Sequence, residues 1–476
     1  QGVSVDSPRI SRWESGLQAV SRRVIITYER ALGLPEGWLV AVTDGLRRAY
    51  GNGVAHRDAN PRDAASEMEL ERLLDLTQGG SATGAEWMRL AEGLSRYDRV
   101  FLRGHEWEAI CSRLVRELAT AVGLGYVRRH QAAASLVRHR SAQHPMMMSL
   151  GSFLTHPDNQ VFAPVMVLLA ELRNEPASDL VLRMLRSDHE HQRKAAASVA
   201  AIKLARGHFP EQALRSLETY ALQGLRLGDP LDGELDTLDL ATRLPLHSWA
   251  VVEGGLRSPQ LQAQLIRWRA TLELSGPRRA GFSVNDVAAQ VQQSTPGNRT
   301  TEPDGLLRRL LREALFHAHK ARRHHAGVLL GASPYAPAVG GSMLSLCHNG
   351  DDFLAARAWS LMMRVGASQH CAELEEAAFA EHRGSIRARA LVNAGLCPGV
   401  VDDRAAELVS RLDLGSSEAE RHATLFALGM SGVPELRELA RRQDAIGRGA
   451  RWWLEQGPAI HDADLPAISP TAVKTS

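Results

Sequence analysis

The sequence Asp6-Ser7-Pro8-Arg9-Ile10-Ser11-Arg12-Trp13-Glu14-Ser15-Gly16 has the pattern of one short helix with both ends marked. Asp6 is a favourable N-cap, Pro8 fits the first helical turn, and Gly16 suits the left-handed conformation that ends many helices. Helical spacing places Ile10 and Trp13 on one face and spreads the polar residues around the other, namely Ser7, Arg9, Ser11 and Arg12. This stretch therefore predicts a helix that packs through one face and contacts a partner through the other.

Two more helices are predicted after this stretch. Ser21 to Leu32 carries apolar residues at helical spacing and is stopped by Gly33, and a third helix begins after Pro35-Glu36-Gly37. The chain here resembles the second half of a Cro/C1-type helix-turn-helix domain, through Gly2-Val3-Ser4, Ile10-Ser11-Arg12-Trp13-Glu14-Ser15-Gly16 and Tyr28-Glu29-Arg30-Ala31-Leu32-Gly33-Leu34. The resemblance is confined to these N-terminal helices.

The resemblance implies that the first helix recognises DNA, with its early residues in the major groove and with Ile10 and Trp13 in the core. The DNA-contact residues that it implies are Ser7, Pro8, Arg9, Ser11, Arg12, Arg22 and Arg23, the last two meeting a phosphate. The family has further helices ahead of the recognition helix, so we expect the natural chain to extend upstream of Gln1, and double-stranded DNA to be bound by a homodimer. The alternative is a small helical bundle whose arginines are merely solvated.

Composition favours an all-α protein. The 476 residues include only 5% aromatic residues, with abundant Ala, Leu and Arg, and the net charge of +2 means that any DNA binding must come from a local patch. Wide spacing of the cysteines argues against a zinc site or a disulfide framework; they are Cys111, Cys347, Cys371 and Cys397. No apolar run is long enough to span a bilayer and no signal peptide is visible, so we expect a cytoplasmic protein without membrane contact.

The distribution of helices and linkers predicts a division into domains. Residues 1–51 form the helix-turn-helix domain, 52–144 a helical connecting domain, 145–457 a helical-repeat domain and 458–476 a flexible tail. The first boundary depends on Gly51 to Asp63, whose Gly, Asn and Pro residues are typical of a hinge.

Similar segments recur in the helical-repeat domain, with small apolar residues that mostly follow an arginine. They are Val161–Ala163, Arg193–Ala200, Arg357–Leu361, Arg387–Leu391 and Arg421–Gly429. Where the segments follow one another directly they are about 30 to 34 residues apart, and they resemble degenerate HEAT repeats. The predicted fold class is therefore all-α, with a partial helix-turn-helix domain followed by an α-solenoid of HEAT-like repeats. Gln290 to Gly305 and Gly331 to Ser342 are rich in Gly, Pro, Ser and Thr, which predicts loops.

Two basic groups lie outside the N-terminal helices. The first comprises Arg308, Arg309, Arg312, His317, His319, Lys320, Arg322, Arg323, His324 and His325. A solvated basic face is the preferred interpretation, with a polyanion or partner contact and a metal site as alternatives. The second comprises Arg113, Arg116, Arg128, Arg129, Arg138 and Arg140, which we interpret as solvated helix surface, with a contact to DNA or to an acidic partner as the alternative. His189-Glu190-His191 is interpreted as part of a loop.

No phosphate-binding loop, dinucleotide fingerprint, nucleophile elbow or zinc-protease motif is present, so we predict no enzyme, no cofactor and no metal. The sequence predicts a bacterial, sequence-specific DNA-binding transcriptional regulator. Its helical-repeat domain would mediate dimerisation, dock a protein or peptide partner, or sense a signal. One alternative is a HEAT-repeat scaffold or adaptor that does not bind DNA. Another is a small-molecule sensor with a closed pocket inside the helical domain.

Overall fold

The computed structural model describes residues 7–14, 17–50, 66–80, 82–227, 236–272, 283–296, 302–366, 370–412 and 417–462. These ranges contain helices and no β-strand, which confirms the all-α prediction. The helices are α1 (Ser7–Glu14), α2 (Arg22–Ala31), α3 (Trp38–Tyr50), α4 (Glu67–Gly79), α5 (Gly84–Leu94), α6 (Gly104–Thr120), α7 (Gly123–Leu136), α8 (Gln143–Leu154), α9 (Ala163–Met166), α10 (Glu175–Met184), α11 (Glu190–Ala205), α12 (Leu214–Leu227), α13 (Asp236–Arg243), α14 (Leu246–Gly255), α15 (Pro259–Thr271), α16 (Val284–Ser294), α17 (Gly305–Phe316), α18 (Lys320–Gly331), α19 (Ala336–Asn349), α20 (Asp352–Val365), α21 (Cys371–Ala380), α22 (Gly384–Gly395), α23 (Ala405–Leu412), α24 (Glu418–Ser431), α25 (Leu436–Leu439) and α26 (Ala445–Gln456). Short 3₁₀ segments cover Val167–Glu171, Glu211–Ala213 and Asp402–Arg404.

Polar side chains mark several helix starts. The hydroxyl of Thr83 accepts a hydrogen bond from the backbone N–H of Glu86 at 3.3 Å, and the Glu86 carboxylate accepts one from the Thr83 N–H at 2.9 Å. Ser417 and Glu420 form the same reciprocal cap at the start of α24. Such caps satisfy backbone N–H groups that have no partner inside the helix, which allows the chain to begin many short helices.

The helices of the second half lie in two layers. Helices α18, α20, α22 and α24 contact one another in succession, and α17, α19, α21 and α23 pack behind them. The repeated segments Arg357–Leu361, Arg387–Leu391 and Arg421–Gly429 all belong to the first of these layers. Close approach within it depends on small residues, since a Cβ at Gly395 would lie 2.7 Å from the Cα of Ala427. The recurring small residues therefore mark the layer in which helices are packed most tightly.

The C-terminal residues fold back onto the first half of the chain. The N–H of Ile460 donates to the carbonyl oxygen of Thr120 at 3.1 Å, and the Ile460 oxygen accepts from the N–H of Val122 at 3.2 Å. The sequence-based prediction of a flexible tail is therefore wrong for residues 459–462, because backbone groups of Ala459 and Ile460 and the side chain of Asp462 are paired with the body. Residues 463–476 lie outside the described residues.

A buried charge cluster strengthens this closure. The guanidinium of Arg129 donates to Asp462 at 2.8 Å and to Glu117 at 3.0 Å. Arg128 is fully buried and Arg129 is 2% exposed, so the prediction of solvated surface is wrong for both. The reason is that α7 is covered by neighbouring helices and by the returning C-terminal residues. The prediction holds for the exposed members of the group, Arg116, Arg138 and Arg140.

The glycines of the predicted loop from Gly331 to Ser342 have a packing role. Much of this stretch lies in α19, so the loop prediction is wrong there. A Cβ at Gly340 would lie 2.7 Å from the imidazole of His370, and the glycine thus makes room for that ring. Of the other predicted loop, the part up to Ser294 belongs to α16.

The N-terminal helices α2 and α3 agree with the sequence prediction and are attached to the body. The buried carboxylate of Glu29 accepts hydrogen bonds from the N–H groups of Gly37 at 3.1 Å and Val40 at 2.9 Å, where the helix dipole of α3 favours a negative charge. Helix α3 packs against α7 and also contacts α18. The predicted hinge from Gly51 to Asp63 lies outside the described residues.

Candidate functional site: an exposed helix and a cationic cavity

Helix α1 carries most of the residues for which the sequence predicts DNA contacts. Their side chains are all exposed: Ser7, Pro8, Arg9, Ser11 and Arg12. Trp13 is 8% exposed, as predicted, and the guanidinium carbon of Arg9 lies 5.3 Å from the centre of its ring. Ile10 is 37% exposed, so its predicted place in the core is wrong; α1 is covered only at its Trp13 end. The predicted cap Asp6 and stop Gly16 lie outside the described residues.

The two predicted phosphate contacts on α2 have different surroundings. Arg22 donates to Asp44 of α3 at 2.9 Å and to Glu92 of α5 at 2.7 Å. Its charge is therefore compensated within the chain, and it ties the N-terminal helices to the body. Arg23 is exposed, so of the two it is the residue better placed to meet a phosphate.

The inner helices surround a cavity of about 2210 Å³. Ligand pockets usually have volumes of about 300–1,000 Å³, so this cavity has room for a sizeable organic molecule. Among the described residues, the positively charged ones that line the cavity are Arg48, Lys194, Arg206, Arg243, Lys320, Arg322, Arg323, Arg357, Arg364 and Arg389. The carboxylates in the lining are fewer: Glu171, Glu190, Asp236, Asp351, Asp352 and Asp462. The excess of positive charge makes the cavity electrostatically suited to an anion.

One buried carboxylate serves two of these arginines. Glu171 lies 3.0 Å from the guanidinium of Arg206 and 3.7 Å from that of Arg48 on α3. Burial opposes ionisation of Glu171, but the two arginines outweigh it and hold its pKa below the ordinary value. Burial also lowers the pKa of Arg48. Together, Arg48, Arg206 and Glu171 carry two positive charges and one negative charge.

Helix α3 also touches the histidine-rich helix α18 through its last residue. The hydroxyl of Tyr50 lies 2.7 Å from Nδ1 of His325, and the two rings meet edge to face with centres 5.1 Å apart. The guanidinium carbon of Arg322 lies 4.8 Å from the centre of the Tyr50 ring, a cation–π geometry. The end of α3 is thus joined to the cavity wall by an aromatic and cationic contact.

Histidines of the cavity are held in the neutral form. Burial, together with the neighbouring arginines, lowers the pKa of His130 and of His325 to about 4. Burial also lowers the pKa of His324 well below its ordinary value. A neutral imidazole offers one N–H donor and one acceptor, so near pH 7 these rings can form hydrogen bonds at the cavity surface without adding charge.

Arg364 of α20 has no carboxylate partner among the described residues. Burial lowers its pKa, and the only opposing influence is the phenol of Tyr126. Two glycines of α18 allow its close approach: a Cβ at Gly327 would lie 3.2 Å from the Arg364 Cβ, and one at Gly331 only 2.2 Å from its carbonyl oxygen. The packing of α18 against α20 therefore places an uncompensated guanidinium at the cavity.

The first basic group of the sequence, from Arg308 to His325, has an exposed part and a part that lines the cavity. Arg309 is exposed on α17 and pairs with Glu313 at 2.9 Å, as expected for a solvated face. His317, His319, Arg322, Arg323, His324 and His325 are half-buried and line the cavity, so the solvated interpretation is wrong for them. It holds for Lys320, which is exposed. Within the described residues, no group of three or more His, Cys, Asp or Glu side chains is arranged to hold a metal ion.

The histidine pair His191 and His422 also joins distant parts of the chain. Their rings stack with centres 3.9 Å apart, and the Nε2 atom of neither has a hydrogen-bond partner among the described residues. The sequence interpretation of His189-Glu190-His191 as loop is wrong for the last two residues, which begin α11.

Sequence reasoning missed most of the cavity residues. Arg48, Arg206 and Tyr126 are isolated in the sequence, and nothing in their local pattern distinguishes them from surface residues. One signal was available: Arg357 and Arg364 are seven positions apart, two turns on one face of the helix that carries a repeated segment. Charged residues at that spacing beside small apolar ones are consistent with a helix that faces a polar chamber.

No model of a known protein family matches this chain, and a comparison with curated proteins finds no significant similarity. Among the described helices, none combines the length and the apolar character needed to cross a bilayer.

Proposed function

We propose that this protein is a ligand-responsive transcriptional regulator. Helix α1 would recognise DNA as the recognition helix of a Cro/C1-type domain, and the helical body, as HEAT-like repeats, would bind the signal in its cavity. The observation that carries the proposal is the position of α3, which belongs to the N-terminal helices and lines the cavity through Arg48 and Tyr50. A ligand in the cavity would therefore contact the same helices that follow the DNA-recognition helix.

The DNA-binding part is supported by the exposure of the polar face of α1. Arg9 and Arg12 are both exposed, and the guanidinium of Arg9 lies over the ring of the buried Trp13 one helical turn away. Arginine recognises guanine through paired hydrogen bonds, while contacts of Arg23 with phosphate would add salt-dependent affinity. A homodimer would place two such helices on a two-fold operator.

The regulatory part is supported by the contacts that hold α3. Glu29 of α2 caps α3, and Arg22 of α2 pairs with Asp44 of α3, so α2 and α3 are linked by buried and partly buried polar contacts. The other end of α3 contacts Glu171 and His325. A ligand that binds these groups differently in two positions of α3 would shift the population of DNA-binding-competent molecules.

The test is DNA binding by the full-length protein, measured at several salt concentrations. Each arginine–base contact is worth about 1–3 kcal/mol, so Arg9→Ala combined with Arg12→Ala is expected to weaken specific binding roughly a hundredfold. The matched control, Arg215→Ala with Arg267→Ala, removes the same charge from two exposed positions of the body and should leave specificity unchanged. Equal loss in both double variants would contradict recognition by α1. Failure of the unmodified protein to bind any DNA would favour the scaffold alternative.

A further inference from the structure

The strongest unexplained feature of the molecule is a group of arginines around three imidazoles on one side of the cavity. Arg48 and Arg206 both act electrostatically on His130, and Arg364 acts on His324, which also interacts with His130. These residues come from the distant helices α3, α7, α11, α18 and α20, or from their ends. The rings of His324 and His325 lie 5.4 Å apart, and those of Tyr126 and His130 lie 5.9 Å apart. All of these rings and the arginines line the same cavity.

The charges in this group do not balance. Arg48 and Arg206 share the single carboxylate of Glu171. Arg322 lies 3.5 Å from Glu313, whose nearer partner is Arg309 outside the cavity. Arg364 adds a further positive charge with no carboxylate partner in the described part of the chain. At least two positive charges therefore face the cavity uncompensated.

A buried arginine without a partner lowers the stability of a folded protein, because the charge loses its hydration without gaining an ion pair. Such a group is commonly retained where it serves binding, at a cost in stability. Gly327 and Gly331 have no Cβ and so leave space for Arg364 at the cavity wall, as expected for an arginine that is retained there for binding. Neutral imidazoles and the Tyr50 and Tyr126 hydroxyls offer hydrogen bonds beside the guanidinium groups.

We propose that Arg48, Arg206, Arg322 and Arg364 bind the phosphate group of a small organic phosphate monoester, whose organic part occupies the apolar remainder of the cavity. The proposal names the ligand class for the sensing part of the proposed function, on which it rests. A dianionic phosphate matches two uncompensated charges gathered at one place, and its oxygens accept hydrogen bonds from donors that converge from several helices. A dicarboxylate would carry its two charges at separate centres.

The experiment is calorimetric titration of the full-length protein, without DNA, with phenyl phosphate as the probe. Phthalate, an aromatic dicarboxylate, and phenol, which is neutral, are titrated in parallel. Phenyl phosphate is expected to bind more tightly than either. Arg364→Met is expected to weaken its binding by about tenfold or more, since it removes a charged hydrogen-bond donor. Arg267→Met, at an exposed position, is the matched control and should bind the probe as the unmodified protein does.

Two further results distinguish a binding role from a structural one. Arg364→Met should melt no lower than the unmodified protein, because it removes a half-buried charge that has no carboxylate partner among the described residues. Glu171→Gln should strengthen binding of phenyl phosphate, because it frees the charges of Arg48 and Arg206. Weakened binding in both variants, tighter binding of phthalate, or no binding of phenyl phosphate would overturn the proposal. Such outcomes leave DNA recognition by α1 untouched, since that is measured separately on DNA.

Discussion

Helix α1 and the cavity wall use arginine in opposite settings. Arg9 and Arg12 stand on an exposed surface, where water solvates them and a partner can reach them directly. Arg48 and Arg364 lie in the interior wall, where burial lowers the pKa of both. The same residue type thus occurs both on a solvated surface and in an interior wall, and we propose that the first setting serves contact with DNA and the second binding of a small anion. Only the tertiary fold distinguishes the two.

The largest expected effect concerns arginines that are buried for structural reasons. Arg129→Met would leave Glu117 and Asp462 with fewer partners in the interior, and removing one member of a buried ion-pair cluster costs about 3–5 kcal/mol. Urea unfolding of this variant should show a free energy of unfolding lower by about 3 kcal/mol or more. The control Arg309→Met removes an exposed pair and should cost less than about 1 kcal/mol. Similar losses of unfolding free energy in the two variants would contradict the distinction between buried and exposed arginines.

A smaller loss of stability is expected for a substitution at Gly331, which leaves space for Arg364 at the cavity. Gly331→Ala brings a Cβ to within 2.2 Å of the Arg364 carbonyl oxygen, so α18 and α20 must separate. Overpacking of this kind costs about 1–3 kcal/mol, measurable as a lower urea midpoint, and should also weaken binding of phenyl phosphate. Gly151→Ala, with nothing within 4 Å of its Cβ, is the control and should be neutral or stabilising. A neutral Gly331→Ala would show that the packing of these helices does not position Arg364.

The smallest effect is a dependence of stability on acid. Burial lowers the pKa of His422 to about 3, and burial also lowers the pKa of the stacked His191, whose other charged neighbours include Lys194, Glu190 and Glu418. In the unfolded chain histidine titrates near pH 6.5, as a general value. The unfolded state therefore binds protons that the folded state does not bind. The free energy of unfolding should fall as the pH drops from about 6.5 towards 4.

Thermal melting at a series of pH values tests this expectation. His422→Phe keeps a stacked ring but cannot be protonated, so its melting temperature should fall less between pH 7 and pH 5 than that of the unmodified protein. His382→Phe, at an exposed position, is the control and should keep the full acid dependence. An unchanged slope in His422→Phe would mean that the stacked pair does not contribute to acid sensitivity.

Local sequence patterns predicted those parts of the molecule that depend on neighbours along the chain. The helices α2 and α3 were predicted from apolar spacing, and the burial of Trp13 was predicted in the same way. The cavity could not be predicted in this way, because its contacts join residues far apart in sequence. Tyr50 and His325 are separated by 275 positions, and no periodicity connects them. Periodicity also could not predict the contact of Asp462 with Arg129, which holds residues of the predicted tail against the body.

The recognition of DNA by α1 and its link to the cavity remain proposals that one measurement tests together. DNA fragments selected for binding to the full-length protein are titrated by fluorescence anisotropy with and without saturating phenyl phosphate, and ligand affinity is then measured with and without DNA. Because α3 lines the cavity and is joined to the helix that follows α1, phenyl phosphate should change the DNA affinity, and DNA should change the ligand affinity by the same factor. Tight binding of both partners with no mutual effect would contradict the account.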